Sequence, residues 1–474
     1  MSNHAFTVHG HFYQPPREDP LTGKIPHEPG ATPYLNWNER IHDHDYKPNA
    51  VLGNFERISF NVGPTLLDWM AEYDPRTVQQ IVEQDRWNIE RNGIGNAIAQ
   101  SYNHTILPLA SREDKITQVR WGIADFAHRF GHAPLGMWLP ETAVDEETLQ
   151  ILADNKILFT ILAPWQADTN LLDTSQPYQV PLKNNKSISV FFYDQDLSTR
   201  VSFDPAATSN ADVFISQYLL PKYHPNGNGT PQLVLVASDG ELYGHHQPFR
   251  DKFLSYLMRG ALVMQSIEAT YPALWLKKYP PTRTMGIRPF TSWSCYHGIV
   301  RWMGACGCTP HGEWKAPLRN AINEIAGLID AQYFNFTNRF MKDPLELRHD
   351  YIHVVLDEMS FEELILAHAK QTPDVENKQK IRLLLAAQYE KQRMFTSCGW
   401  FFDDFDRIEP RNNVSYTAQA VWLTYLAIGV DLSDQALALL KGVKSWRTGN
   451  RADAVFSRHL QRARSSQVIG KIRA

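Results

Sequence analysis

Two short blocks of the 474-residue chain each place a carboxylate just after an apolar run. In the first, Leu135-Gly136-Met137-Trp138-Leu139-Pro140 leads into Glu141. In the second, Leu233-Val234-Leu235-Val236-Ala237-Ser238 leads into Asp239, with Glu241 and His245 close behind. An acid at the carboxyl end of a buried strand sits where an α/β barrel keeps its chemistry. Two carboxylates facing each other across a barrel mouth are the minimum equipment for glycoside chemistry.

The elements that must position them are legible as runs. Seven short apolar stretches, 6–9, 58–62, 94–99, 135–139, 157–162, 188–193 and 233–237, read as buried parallel strands. Helical patterns over 65–73, 114–130 and 145–155 separate several of them. The last of these carries Asp145, Glu146 and Glu147 in its first turn, where carboxylates suit the helix dipole. Alternating strand and helix indicates α/β architecture with right-handed crossovers, and seven strands suit a (β/α)7-type distorted barrel. Beyond about residue 300 the pattern turns helical, over 318–340, 378–393 and 418–428. The division expected is a catalytic barrel over 1–300 and a mainly helical C-terminal region over 301–474 packed on it, ending in a basic stretch, 451–474, read as a terminal helix.

Polar residues recur after the strands. His9, His11 and Gln14 follow the first, His104 the third, Glu141 the fourth, Trp165 the fifth, Asp194 and Asp196 the sixth, and Asp239, Glu241 and His245 the seventh. Histidines there can hydrogen-bond sugar hydroxyls or hold carboxylates, and Trp138, Trp165 and Trp293 have faces on which sugars stack. Each of these residues taken singly also has an ordinary structural use in a core.

Composition narrows the alternatives. The chain is 43% hydrophobic and 21% charged with a formal net charge of -4, which disfavours nucleic acid and anionic membrane as partners. There is no secretory leader pattern at Met1, no apolar run long enough to span a bilayer, and only four cysteines, which together read as a cytoplasmic protein. Two clusters contain metal-ligand residue types. His42-Asp43-His44-Asp45 lacks helix spacing for zinc and is expected to be a solvated loop near the barrel mouth. Cys295, His297, Cys306, Cys308 and His311 include four groups that can close around zinc, but Cys-x-Cys matches no usual knuckle, and no metal or cofactor is assigned.

Several blocks resemble motifs of glycoside hydrolase family 57. His9-x-His11 with Gln14-Pro15 is similar to its first motif, with Phe12-Tyr13 inserted. His104 with Ile106-Leu107-Pro108-Leu109 is similar to the second, with Thr105 in place of a proline. Trp138-Leu139-Pro140-Glu141-Thr142-Ala143 resembles the nucleophile block, and Ser238-Asp239-Gly240-Glu241-Leu242-Tyr243-Gly244-His245 the acid/base block. The C-terminal part resembles a subgroup carrying domain of unknown function 3536, through Ser292 to Gly298 (with Trp293 and His297), Arg301-Trp302 and the Phe395 to Asp403 block. The resemblance implies Glu141 as nucleophile, Asp239 as general acid/base with Glu241 as the runner-up, and Trp400 with Asp403 or Asp404 as the family's fifth motif. It also implies a retaining hydrolase or transferase on α-1,4-linked glucans, of amylase or 4-α-glucanotransferase type. The 141–239 interval carries no large insertion; by the same resemblance, in which branching enzymes tend to carry a longer one there, this slightly disfavours a branching enzyme. Two alternatives stand beside it. One is a metal-dependent carbohydrate hydrolase or deacetylase using His9, His11 and Asp239, and the other a non-catalytic glycan-binding protein.

Overall fold

Every one of the seven apolar runs takes part in a parallel strand in the computed structural model, which describes residues 3–224 and 229–466. The strands are β1 (His4–Phe12), β2 (Ser59–Val62), β3 (Ala99–Gln100), β4 (Met137–Trp138), β5 (Phe159–Leu162), β6 (Tyr178–Pro181), β7 (Ser187–Phe192), β8 (Gln232–Asp239) and β9 (Glu268–Ala269). Strand β1 lies between β8 and β2, β3 pairs with β4, and β5 with β7, all in parallel. Single parallel bridges, Phe60 to Ala97 and Gly136 to Phe159, join these groups. The amide of Asp194, just after β7, donates to the Leu235 carbonyl of β8 at 2.7 Å and closes the ring. The result is the (β/α)7-type barrel. Two short strands lie outside the seven: β6 runs antiparallel to β7, and β9 pairs with the start of β1.

Strands covered on both faces read as continuous apolar runs because neither face meets water. In β8 every residue from Gln232 to Ser238 is buried, and only Asp239 opens to solvent. The helices are delimited by their caps. Asp145 accepts from the Thr148 amide at 2.7 Å and starts the helix Glu146–Asp154, close to the span expected. Asp74 caps the helix Pro75–Asn92, which Gly93 ends in the left-handed conformation. That helix escapes an apolar-periodicity search because its buried face includes Thr77, Gln84, Asp85 and Asn88.

The described chain forms two compact units. The first comprises Met1–Gln14, His27–Tyr102 and Phe126–Trp293, and holds the barrel. The second comprises Pro15–Pro26, Asn103–Asp125 and Ser294–Ala474, so two excursions from the N-terminal half belong to it. It is helical, with Lys315–Thr337, Val375–Arg393, Ile408–Ile428 and Ala452–Ser466 as its longer helices. Residues 467–474 of the expected terminal helix lie outside the described residues. Among the described residues no helix is long and apolar enough to cross a membrane.

A buried charge cluster ties elements of the second unit together. Lys391 Nζ donates to both Asp114 oxygens, at 2.8 and 2.7 Å, and Arg348 Nη1 lies 3.1 Å from the same carboxylate. Gln392 Nε2 donates to it at 2.7 Å. Despite the burial, these cations hold the Asp114 carboxyl well below the usual carboxylate range. Asp114→Ala therefore leaves buried Lys391 and Arg348 with Asp330 as their remaining carboxylate, at 2.9 and 3.9 Å. The expected cost is about 1.5–3 kcal/mol, that of losing hydrogen bonds to a charged group, read at neutral pH as a lowered midpoint of denaturant unfolding. An unchanged midpoint contradicts this role for the cluster.

Candidate active site at the strand ends

Glu141 sits on a strained turn. Strand β4 ends at Trp138, and the 3-10 turn Pro140–Thr142 follows, with Glu141 at φ 57° and Thr142 at φ 49°. Left-handed backbone at two consecutive non-glycine residues is uncommon and needs external support. Gln166, fully buried after β5, supplies it. Thr142 Oγ1 donates to Gln166 Oε1 at 2.8 Å, and Gln166 Nε2 returns a bond to the Thr142 carbonyl at 2.8 Å. The Ala163 amide fixes the same Oε1 at 2.8 Å. Trp293 then holds Glu141 itself. Its amide donates to the Glu141 carbonyl at 3.0 Å, and its indole Nε1 to the carboxylate Oε2 at 3.1 Å.

Asp239 ends β8 opposite His11 of β1. Its side chain reaches solvent at the strand end, yet protein packs around the carboxyl on its other sides. Burial, reinforced by the negative charges of Glu241 and then Glu141, pushes its pKa up to about 8. The two acids of the sequence blocks are thus brought within each other's electrostatic reach.

Glu241, two residues on, turns inward. It is buried, and its Oε1 accepts from Tyr46 Oη at 2.7 Å and from the Tyr13 amide at 3.1 Å, with Gln14 as a further donor. Burial raises its pKa against these donors. It anchors the chain after β1 and is not open to a ligand as Asp239 is.

A polar ladder supports the floor. His9 Nδ1 pairs with Ser59 Oγ at 2.9 Å, and His9 Nε2 with Asn61 Oδ1 at 3.2 Å. His11 Nδ1 meets Asn61 at 3.0 Å, and Asn61 Nδ2 donates to Gln100 Oε1 at 2.9 Å. Burial depresses both imidazoles, His9 to about 3 and His11 to about 4, so both are neutral at physiological pH. Trp138 stacks on them at ring-centroid distances of 4.7 and 5.2 Å and meets Trp293 edge-on at 5.0 Å.

These placements correct part of the expected substrate-contact set. His9 and Trp138 are fully enclosed and present no face to a sugar; they hold neighbours in place. The His9–His11–Asp239 metal trio also fails, because both ring nitrogens of His9 are engaged by Ser59 and Asn61. Trp165, half-buried, donates to the Ser292 carbonyl at 2.9 Å, and Trp293 is half-buried beside Glu141, so both keep exposed ring surface. His245 gathers with His44, His246 and Trp37 at centroid distances of 5.9, 4.9 and 6.1 Å. The segment around His44 is not the solvated loop expected. It is a π-helical turn, His42–Tyr46, with His42, Asp45 and Tyr46 buried.

His104, His297, Trp400 and Asp403 belong to the second unit. There His104 Nδ1 meets Ser397 Oγ at 2.7 Å, and Asp403 pairs with Arg447. Trp400 is fully buried with the Arg319 guanidinium 3.6 Å over its ring, so it has no free face for a sugar. His297 lies among three cysteines. Gln166, Asn61, Tyr13 and Tyr46 were not singled out in the sequence as site residues. Gln166 and Tyr13 left a signal, their places just after the fifth and first apolar runs.

A parallel seven-stranded barrel with a charge-coupled acid pair at its strand ends is the framework of a carbohydrate-active enzyme. The family model "Glycosyl hydrolase family 57" matches residues 8–288, and the chain belongs to that family. A second model, "Domain of unknown function (DUF3536)", matches residues 311–469. Among solved structures, the exo-type maltose-forming amylase of Pyrococcus sp. ST04 superposes with a TM-score of 0.75 at 16% identity, over 97% of this chain and 89% of that one. The branching enzyme of Thermococcus kodakaraensis gives 0.64 at 14% identity, over 100% and 97%. The 4-alpha-glucanotransferase of Thermococcus litoralis gives 0.56 at 16%, over 90% of this chain and 60% of that one. At these identities the likeness is one of fold. No curated protein matches the chain.

Two outcomes follow from this geometry. In a carboxyl-resolved NMR titration, Asp239 titrates near 8, and Glu141→Gln moves that value down by removing one of the charges that raise it. An unshifted titration means that the two acids are not coupled. Gln166→Ala, which frees the Thr142 turn, is expected to lower kcat on a glucan substrate by about 10²-fold with less change in KM, as misplacement of a reacting group does. Equal loss in both parameters argues for general destabilisation.

Proposed function

We propose that the protein is a retaining glycoside hydrolase or transglycosylase acting on α-1,4-linked glucans, of amylase or 4-α-glucanotransferase type. The observation that carries this is the unequal pair at the strand ends. Asp239 keeps its proton up to about pH 8, while Glu141 is aimed by an indole donor and a braced turn. In the proposed reaction Glu141 attacks the anomeric carbon as Asp239 protonates the leaving oxygen, giving a covalent glycosyl-enzyme. Asp239, now ionised, then takes a proton from water or from a sugar hydroxyl, which attacks and releases Glu141. Water gives hydrolysis and a sugar gives transfer.

Glu241 is the less suitable acid, because its oxygen is occupied by Tyr46 and Tyr13 beneath the surface. Trp165, Trp293 and His245 are the proposed substrate-facing groups around the pair, while buried His11 and Gln14 hold Asn61 and Glu241 behind them. A catalytic unit over 1–300 with a helical region over 301–474 remains our proposed functional division. None of the four cysteines is in a disulfide, which suits a reducing cytoplasm.

The test is product analysis with maltoheptaose and amylose beside Glu141→Gln and Asp239→Asn. Shorter products of retained anomeric configuration, lost in both variants, support the proposal, and longer oligomers alongside them specify transfer. Unaltered glucan, or activity persisting in Glu141→Gln, defeats it. The acid must be protonated, so kcat/KM is expected to fall as pH rises through about 8. A profile flat to well above that value removes Asp239 as the acid.

A further inference from the structure

The segment between the barrel unit and the helix Lys315–Thr337 has little regular structure to hold it. Its described secondary structure is two three-residue 3-10 turns, Val300–Trp302 and Gly312–Trp314, and a bridge between Cys306 and Thr309. Two tight turns in it each present a pair of donors. The Gly298 amide closes on the Cys295 carbonyl at 3.1 Å, bracketing Cys295 and His297. The Thr309 amide closes on the Cys306 carbonyl at 2.9 Å, bracketing Cys306 and Cys308. A glycine, Gly307, separates the second pair; a Cβ there would approach the His297 ring to 3.4 Å.

The turns face each other. One ligand atom from each of Cys295, His297, Cys306 and Cys308 lies within 4.8 Å of the other three. Cys295 Sγ is 3.4 Å from Cys306 Sγ and 3.8 Å from Cys308 Sγ. His297 Nδ1 is 3.2 Å from Cys306 Sγ and 3.4 Å from Cys308 Sγ. Zinc–sulfur bonds of about 2.3 Å and a zinc–nitrogen bond of about 2.0–2.1 Å, set tetrahedrally, place sulfurs about 3.8 Å apart and sulfur and nitrogen about 3.6 Å apart. The four edges given lie within about 0.4 Å of those of that tetrahedron. They are far beyond the disulfide length of about 2.05 Å.

We propose that Cys295, His297, Cys306 and Cys308 form a structural zinc site. Three thiolates and an imidazole are a soft donor set, suited to zinc rather than to magnesium or calcium. Four protein ligands leave no open position, so the site staples the chain and does no chemistry. Binding displaces the three thiol protons and leaves the centre with one net negative charge. A counter-charge is already built beside it. Lys315 is fully buried, its Nζ has no hydrogen-bond partner, and it lies within electrostatic range of Cys295 and Cys306. His311 is outside the set, because its ring stacks on Trp446 at 4.1 Å.

The full chain, expressed with zinc and exchanged into metal-free buffer, is assayed by elemental mass spectrometry and, after cobalt substitution, by absorption spectroscopy. About one zinc per chain is expected, with the charge-transfer and tetrahedral ligand-field bands of a thiolate-rich cobalt site. Cys306→Ser/Cys308→Ser loses the metal, whereas His297→Cys retains it with a fourth thiolate. Should the double variant not fold, X-ray absorption on the zinc-loaded wild type decides, a shell of three sulfurs and one nitrogen being required. Substoichiometric zinc in the wild type, full retention in the folded double variant, or an oxygen-rich six-coordinate shell each overturns the assignment.

Discussion

The register of β1 between its two parallel neighbours is the constraint on which the site depends. His11 is fixed opposite Asp239 on one side and opposite Asn61 on the other. A slip of one residue turns every side chain of β1 to the opposite face and removes the histidine ladder from the acid. The register is locked beyond the strand as well. The Tyr13 amide reaches Glu241, and the Phe12 ring packs so tightly over Gly240 that a Cβ there would lie 2.3 Å from it. Gly244 is equally constrained, since a Cβ would fall 2.2 Å from the His44 carbonyl oxygen.

Electrostatics follow from that placement. Asp239 and Glu241 are two residues apart, yet their surroundings give them separate tasks. Glu241 faces inward to Tyr46, Tyr13 and Gln14, and its charge is bound into the frame. Asp239 ends the strand with Glu241 and Glu141 nearby, and the protein packed around the inner side of its carboxyl combined with like charge favours its protonated form. The histidines beneath are kept neutral by burial, so they add no cation that would pull that proton off. The strain at Glu141 and Thr142 is borne by Gln166, a residue remote in sequence but adjacent at the next strand end.

Much of this was legible in the chain. Parallel strands shielded on both faces must be apolar throughout, so runs such as 233–237 declared themselves, and so did the acids that end two of them. Caps such as Asp145 marked helix starts through side-chain chemistry that is local in sequence. The helix Pro75–Asn92 and the His42–Tyr46 turn were not legible in the same way. The first buries polar side chains that find partners elsewhere in the fold, and the second is a π-helical turn with no periodic signature of its own.

The sequence by itself determined the alternation of strands and helices, the helical character of the C-terminal half, and the position of Glu141 and Asp239 directly after two apolar runs, because each is encoded over a few neighbouring residues. Only the tertiary structure decided which polar residues are exposed and which are enclosed. Trp138 and Trp293 are both tryptophans near strand ends, but one is walled in by His9 and His11 while the other keeps open surface beside Glu141. Which four of Cys295, His297, Cys306, Cys308 and His311 converge was likewise decided only when two turns brought them together. Exposure, proton affinity and ligand geometry depend on neighbours distant in the chain, and linear spacing carries no record of them.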